Sequence, residues 1–475
     1  MSLVADLSAL LGGDRVRSDP LELKLYDKDA GVSRGSVLVV VFPESTQEVA
    51  ACVRIARRHG VPIVPRGAGT GLAGGAVPAS PALVISLMRL NRIWEVDTEG
   101  HTAWVGPGVI NLDLTRHTEP MGFHFAPDPS SQSICTVGGN VANNSGGPHC
   151  LAEGTTVAHI LGVEMVAADG EVMVVGGAAP DLPGLDLRSV IVGSEGTVGV
   201  VTKVLVKLTE NPPDVRTLLL AFPDVVGAAR TVSDTIAAGI VPAALEMMDR
   251  PMIAAVENFV HAGYPTDAGA VLLAEVAGHP AAVAAEAEII AGIATAAGAG
   301  EVRMAVRGPE RDLLWLGRKS AFGAVAQAAP DYYLHDTVVP RTRLVEVMTR
   351  LYEIAETYDL LMLNVFHAGD GNLHPLMAFD AREPGMLARV KAAGEEIVRV
   401  SVAVGGALSG EHGIGLEKRD FMGEVYRPVD LDAQARLRDA FDPDGVMNPG
   451  KVLPTGSRCF DFDFPTPAVE AGVAG

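Results

Sequence analysis

The sequence predicts an α+β fold in two parts, and three features carry that expectation. Before residue 212, short apolar runs are separated by dense glycine loops. Asn211-Pro212-Pro213 then interrupts the chain with a proline pair, through which neither a helix nor a central strand continues. Beyond the break, apolar runs alternate with amphipathic helical stretches, the texture of an antiparallel sheet covered by helices.

Each element follows from local chemistry. Residues 45–60 read as a helix: Ser45 or Thr46 can cap it, Glu48 lies in its first turn and Gly60 ends it. Apolar runs at 61–64, 83–88, 102–106 and 198–208 read as strands, and 159–175 as two strands joined through Ala168-Asp169-Gly170. In the second part, 216–222, 268–276, 301–306 and 332–339 read as strands, with helices at 224–239, 280–298 and 342–357. The expected organisation is an N-terminal helical segment at 1–34 and a first domain at 35–212. A second domain at 213–453 returns to the first at its end, and a proline-rich tail, 454–475, wraps the surface.

Composition narrows the function. The chain has 475 residues, 37 of them Lys or Arg against 58 Asp or Glu, for a net charge of −21. Such a surface repels nucleic-acid phosphates and anionic membranes. No apolar run reaches the ~18 residues of a transmembrane helix. The N-terminus carries Asp6 and Asp14 and no basic run, so it does not read as a secretory signal. Cys52, Cys135, Cys150 and Cys459 are scattered, which fits a reducing cytoplasm and excludes an iron–sulfur cluster held by four clustered thiolates of this chain.

The glycine loops carry the next signal. Gly69-Thr70-Gly71-Leu72-Ala73-Gly74 matches G-x-G-x-x-G, the dinucleotide fingerprint. Its context does not fit NAD: Ala-Val-Pro-Ala-Ser-Pro follows in place of a helix, and the next strand ends at Met88-Arg89-Leu90 without an acid. The physical content survives, because successive backbone N–H groups in such a loop form a concave site for anions. Residues 127–147 (PDPSSQSICTVGGNVANNSGG) and 193–201 (GSEGTVGVV) add two further loops of small polar residues, able to wrap a polar cofactor.

Together these loops resemble the FAD-binding domain of the vanillyl-alcohol-oxidase type. Over residues 35–453, the phrases LEMMD (245–249), HAGYP (261–265), FHAGDGNLHP (366–375) and SGEHGIG (409–415) resemble the branch of D-lactate, D-2-hydroxyglutarate and glycolate dehydrogenases, and within it the FAD-linked subunit of glycolate oxidase. The resemblance implies a two-part FAD domain plus a cap domain whose antiparallel sheet is covered by helices. It implies FAD contacts by Arg66, Gly67, Ala68, Gly69, Thr70, Gly71, Gly74 and Gly75 in the first loop. In the second they are Pro127, Asp128, Ser131, Thr136, Gly138, Gly139, Asn144 and Gly146. Glu195, Gly199, Val200, Val201 and Asn448 complete the set. Some relatives attach the flavin through a His in or near the glycine loop; this loop has none, so a non-covalent FAD is expected.

Residues 360–379 hold the reacting groups. Asp370-Gly371 between two apolar runs is a type I′ hairpin signal, and a two-residue turn there sets His367 opposite His374, so that two imidazoles can grip one metal. Glu411, between glycines, offers a carboxylate, and His₂Glu with an open position suits zinc, manganese or iron(II). The resemblance assigns His367, His374 and Glu411 to the metal and His412 to the catalytic base. It places Arg318 and Arg341 at the substrate, Arg318 as the carboxylate clamp, with Asn372 and Lys418 as further contacts.

The implied activity is removal of hydride from a small D-2-hydroxy acid, glycolate or D-lactate. Leu376 and Leu334 stand where the D-2-hydroxyglutarate branch has polar residues, which disfavours that dicarboxylate. A D-2-hydroxyglutarate dehydrogenase, or a flavin subunit that only relays electrons within a complex, is the alternative. Electrons leave to an iron–sulfur subunit or another acceptor, and a cytoplasmic chain held at the inner membrane through that partner fits both readings.

Overall fold

A computed structural model describes residues 2–179 and 183–454; the expected tail from 455 onward, with Cys459, lies outside them. The described chain forms two compact units. The first comprises residues up to 145, 155–210 and the stretch from 411; the second comprises 146–154 and 211–410.

In the first unit, Val16–Arg17, Val37–Val41, Ala82–Ser86 and Ile63–Arg66 line up in that order as a four-stranded sheet. Its last three strands are parallel, and Val39, Val40, Val41, Ile63, Val64, Leu83, Val84 and Ile85 are buried, as expected of strands covered on both faces. A second sheet is antiparallel, in the order Ile93–Asp97, Thr102–Val105, Val200–Lys207, Ile160–Val166, Val172–Gly176. Helix Thr46–Arg58 starts on the Ser45 cap, whose hydroxyl accepts from Glu48 N at 3.2 Å. Val49, Val53 and Ala56 of this helix share one core with Ile63, Leu83 and Ile85 of the first sheet and with Val166 and Val200 of the second. The N-terminal segment differs from expectation: helix Leu3–Leu11 is followed by Val16–Arg17, which pairs with Val40 and Val41. The segment is thus helical at Leu3–Leu11 and Pro20–Leu23, with a two-residue edge strand between them that was not expected.

The second unit is built on a nine-stranded sheet. Its run Glu301–Ala305, Asp214–Phe222, Ala270–Gly278, Ala244–Asp249, Leu361–His367 is antiparallel throughout. Helices Val225–Ala237, Pro280–Ala296, Leu344–Thr357 and Met386–Ala403 pack through Val232, Ile290, Leu351 and Ile397 on one face, over Leu220, Leu272 and Phe366. Helices Arg250–Val260, Gly308–Lys319 and Ala321–Ala328 pack on the other, over Leu219, Leu273 and Val365. Alternation of side chains along each strand supplies both faces.

The histidine hairpin departs from the expected register. His367 pairs with Asn372, and Asn364 with Pro375, so the loop is Ala368 to Gly371, two residues longer than the turn expected at Asp370-Gly371. His374 therefore stands diagonally across from His367 on the same face. A register shift of two residues keeps the face, whereas a shift of one would have sent one ring to the opposite side. The strand expected at 332–339 is also interrupted, into Asp331–Leu334 and Thr337–Val338, at His335-Asp336. Gly371 has φ 78°, and a Cβ there would overlap the Val339 carbonyl oxygen. Gly371→Ala should destabilise the chain by about 1–3 kcal/mol, the range for a strained backbone position; a denaturant titration beside wild type measures it.

Candidate active site

In the second unit, strand Ala244–Asp249 places Glu246 directly across from His367. Helix Gly308–Lys319 brings Arg318 onto the same carboxylate. It can approach closely because residue 317 is glycine: a Cβ there would lie 2.6 Å from Ala262 Cβ and from the Tyr264 hydroxyl. Arg318 Nε donates to Glu246 Oε2 at 2.7 Å, and His367 Nδ1 lies 2.7 Å from Glu246 Oε1. All three are buried, at 1%, 0% and 2% exposure for Arg318, Glu246 and His367. Burial pushes the Glu246 carboxyl up, but His367 and Arg318 outweigh it and hold the group below the usual range.

This geometry sharpens the expected role of Arg318. One edge of its guanidinium is committed to Glu246, while Nη2 is buried and has no hydrogen-bond partner among the described residues. A buried donor of this kind calls for an explanation, and an incoming carboxylate oxygen would supply one. Lys319, the next residue, is exposed.

The two histidine rings meet edge to face, with centroids 5.0 Å apart. A diagonal pair across a hairpin is within reach of ring side chains. Nδ1 of His367 is held by the Glu246 carboxylate, the usual support of a metal-binding imidazole. His374 Nε2 lies 3.7 Å from Asp336 Oδ1, which also accepts from Gly410 N at 2.9 Å. Asn372 is buried opposite His367, and Arg341 Nη1 donates to the Gly369 carbonyl of the hairpin loop at 3.0 Å. Glu246 and Asp336 escaped the sequence reading. Their signal was an acid inside an apolar run, since Glu and Asp are almost never fully buried unless paired.

In the first unit, Glu411 is buried and its Oε1 lies 3.5 Å from His412 Nε2. The His412 carbonyl accepts from Asn143 Nδ2 at 3.2 Å, and Lys418 is buried a turn later. The glycine loop follows Arg66 at the end of its strand; Gly69 and Gly74 have φ of 73° and 80°, and Gly74 N donates to Asp29 Oδ2 at 2.9 Å. Burial pushes the Asp29 carboxyl up to about 6. Thr136 caps helix Val137–Asn143 by accepting from Gly139 N at 3.2 Å.

Not every glycine here serves a ligand. A Cβ at Gly138 would meet Pro107 Cβ at 2.5 Å, and one at Gly199 would overlap Met165, so packing explains both. Gly71 and Gly139 differ: the nearest atoms to an added Cβ lie at 3.5 and 3.4 Å, and neither residue has a positive φ. Protein packing does not demand glycine at these two positions, and a dinucleotide passing close to the backbone would. Val200 lies in the core, so its backbone is what it can offer a cofactor. Ala68, Thr70 and Gly75 share the first loop; Pro127, Asp128, Ser131 and Asn144 share the second, whereas Gly146 falls in the second unit.

Residues 37–176 match the FAD binding domain, and residues 211–452 match the C-terminal domain of FAD linked oxidases. The chain belongs to the FAD-linked oxidase family. It is 46% identical to the glycolate oxidase subunit GlcD of Escherichia coli K12, over 90% of this chain and 85% of that one. It is 31% identical to the D-lactate dehydrogenase of Anaerostipes hadrus, over 93% and 94% of the two chains. Among solved structures, p-cresol methylhydroxylase superposes with a TM-score of 0.79 at 19% identity, covering 95% of this chain and 96% of that one, so the fold is of the vanillyl-alcohol-oxidase type. As in the family, the chain is a flavin-dependent oxidoreductase acting on CH–OH donors.

Glu246→Gln should leave Arg318 buried without its counter-charge, at a cost of about 3–5 kcal/mol in a denaturant titration at pH 7. The sign with pH follows from the lowered carboxyl. Its contribution is complete above the ordinary value, about 4.3, and is lost as pH falls through the lower folded-state value. The variant should therefore lose stability less steeply than wild type below pH 4.

Proposed function

We propose that this chain oxidises a small D-2-hydroxy acid, glycolate to glyoxylate in the first place and D-lactate to pyruvate in the second. The observation that carries the reading is the buried Arg318–Glu246–His367 chain beside His374, with Arg318 Nη2 open to a carboxylate. The names of the two relatives point the same way. FAD held by the glycine loops would supply the hydride acceptor for the carbinol carbon. A divalent ion (zinc, manganese or iron) held by the His-His-Glu set would supply Lewis acidity for the substrate hydroxyl.

The side chains divide the remaining work. Arg318 orients the substrate carboxylate through Nη2, and Arg341, Asn372 and Lys418 are assigned further contacts. His367 and His374 are two of the metal ligands. Glu411 is the third: it follows Gly410, whose amide is bound by Asp336, the carboxylate beside His374. His412 takes the hydroxyl proton on an imidazole nitrogen. Leu334 pairs with Leu376, an apolar residue on the same face of the strand as His374 and buried, so a second substrate carboxylate would find no counter-charge there. Two polar losses disfavour D-2-hydroxyglutarate on the same ground.

Among the described residues, no helix is long and apolar enough to cross a membrane. The word "subunit" in the relative's name supports a partner that takes the electrons, and an iron–sulfur protein is the partner proposed.

Anaerobic mixing with glycolate, D-lactate, L-lactate and D-2-hydroxyglutarate tests the reading through the flavin spectrum. Glycolate and D-lactate should bleach it, and His412→Asn should slow bleaching by about 10²–10⁴-fold, the usual share of a positioned base. Bleaching by L-lactate alone would sink the proposed stereochemistry. Acid precipitation should release the flavin into the supernatant; flavin that stays with the pellet would mean a covalent link.

A further inference from the structure

Within the first unit, three cofactor loops and the turn bearing Glu411 and His412 converge on one residue, Glu195. Its backbone N donates to the Ala142 carbonyl of the second loop at 2.8 Å. Its carbonyl accepts from Asn448 Nδ2 at 2.7 Å, and the same amide group donates to the Gly75 carbonyl of the first loop at 2.8 Å. Its side chain leaves the loops and reaches the turn: Oε1 accepts from Ile414 N at 2.6 Å and Gly415 N at 3.0 Å. Glu195 is buried and holds φ 53°, a left-handed backbone that a glutamate rarely adopts. A strained residue kept at such a crossing is a sign that its side chain is needed there.

Two other contacts tie the turn to the cradle. Leu416 N donates to the Ala73 carbonyl at 2.8 Å, and Asn143 Nδ2 donates to the His412 carbonyl at 3.2 Å. Gly415 has φ 53°, and a Cβ there would overlap the Ala73 carbonyl oxygen. The turn has little backbone preference of its own, since four of the seven residues from Ser409 to Gly415 are neither β-branched nor bulky but glycine or serine. Its shape depends on what it is fastened to.

We propose that Glu195 is a positioning residue that transmits flavin loading to the turn: FAD orders the three loops, and the Glu195 carboxylate passes that order to residues 411–415. This rests on the reading above, in which the turn carries a metal ligand and the base. Two sites that order a shared element bind cooperatively, and the effect is reciprocal.

Hydrogen exchange of the full chain, with and without FAD, tests it in wild type, Glu195→Gln and Glu195→Asn. Gln keeps an acceptor at the same reach; Asn tolerates the left-handed backbone but is too short to bridge. In wild type and Glu195→Gln, FAD should slow exchange at the amides of Ile414 and Gly415 by about tenfold or more, which is about 1.4 kcal/mol of added protection. In Glu195→Asn the slowing should vanish there while FAD still protects residues 66–75. Equal slowing in Glu195→Asn, or no effect of FAD on the turn in wild type, would overturn the proposal. A fully active His412→Asn enzyme would instead remove the assigned base and leave the exchange result standing.

Discussion

The second unit depends on one buried ion chain, Arg318–Glu246–His367. Removing charges from water costs several kcal/mol per ion, to order of magnitude, so each member must be paid for by the others. Glu246 accepts from both neighbours, one on each carboxylate oxygen. That sharing fixes three elements at once: strand Ala244–Asp249, strand Leu361–His367 and helix Gly308–Lys319. It also bears on the chemistry, because it fixes the His367 ring through Nδ1 and leaves Arg318 Nη2 without a hydrogen-bond partner among the described residues.

The hairpin shows how loop length serves the same end. With a four-residue loop, His367 lies opposite Asn372 and His374 falls on the diagonal, where the rings meet edge to face. The longer loop sets the carbonyl of Gly369 against the Arg341 guanidinium. After His335-Asp336 interrupts the neighbouring strand, the Asp336 carboxylate turns toward His374 and Gly410. In the first unit the equivalent organising residue is Glu195, which replaces a ladder of regular hydrogen bonds with a crossing of loops.

Local order was legible in the sequence wherever its cause is local. The Ser45 cap, the Ala168-Asp169-Gly170 turn and the helices near 225, 280 and 344 followed from capping, turn chemistry and periodicity. The strand Ala244–Asp249 and the helices Arg250–Val260 and Met386–Ala403 were not read as elements, although Asp249 with Pro251 and Pro384-Gly385 mark the starts of the two helices. The hairpin register was misjudged because Asp-Gly signals a turn without stating the number of residues around it.

The sequence by itself determined that this chain has glycine loops suited to a dinucleotide, two histidines on one face of a hairpin and a Glu-His pair in a glycine-flanked turn. Residue type and short spacing suffice for those. Which partners complete them was decided by the tertiary structure. Glu246 lies 72 residues from Arg318 and 121 from His367 along the chain, and Glu195 lies 219 from Ile414. Pairings across such separations depend on sheet order and helix approach, and no local pattern encodes them.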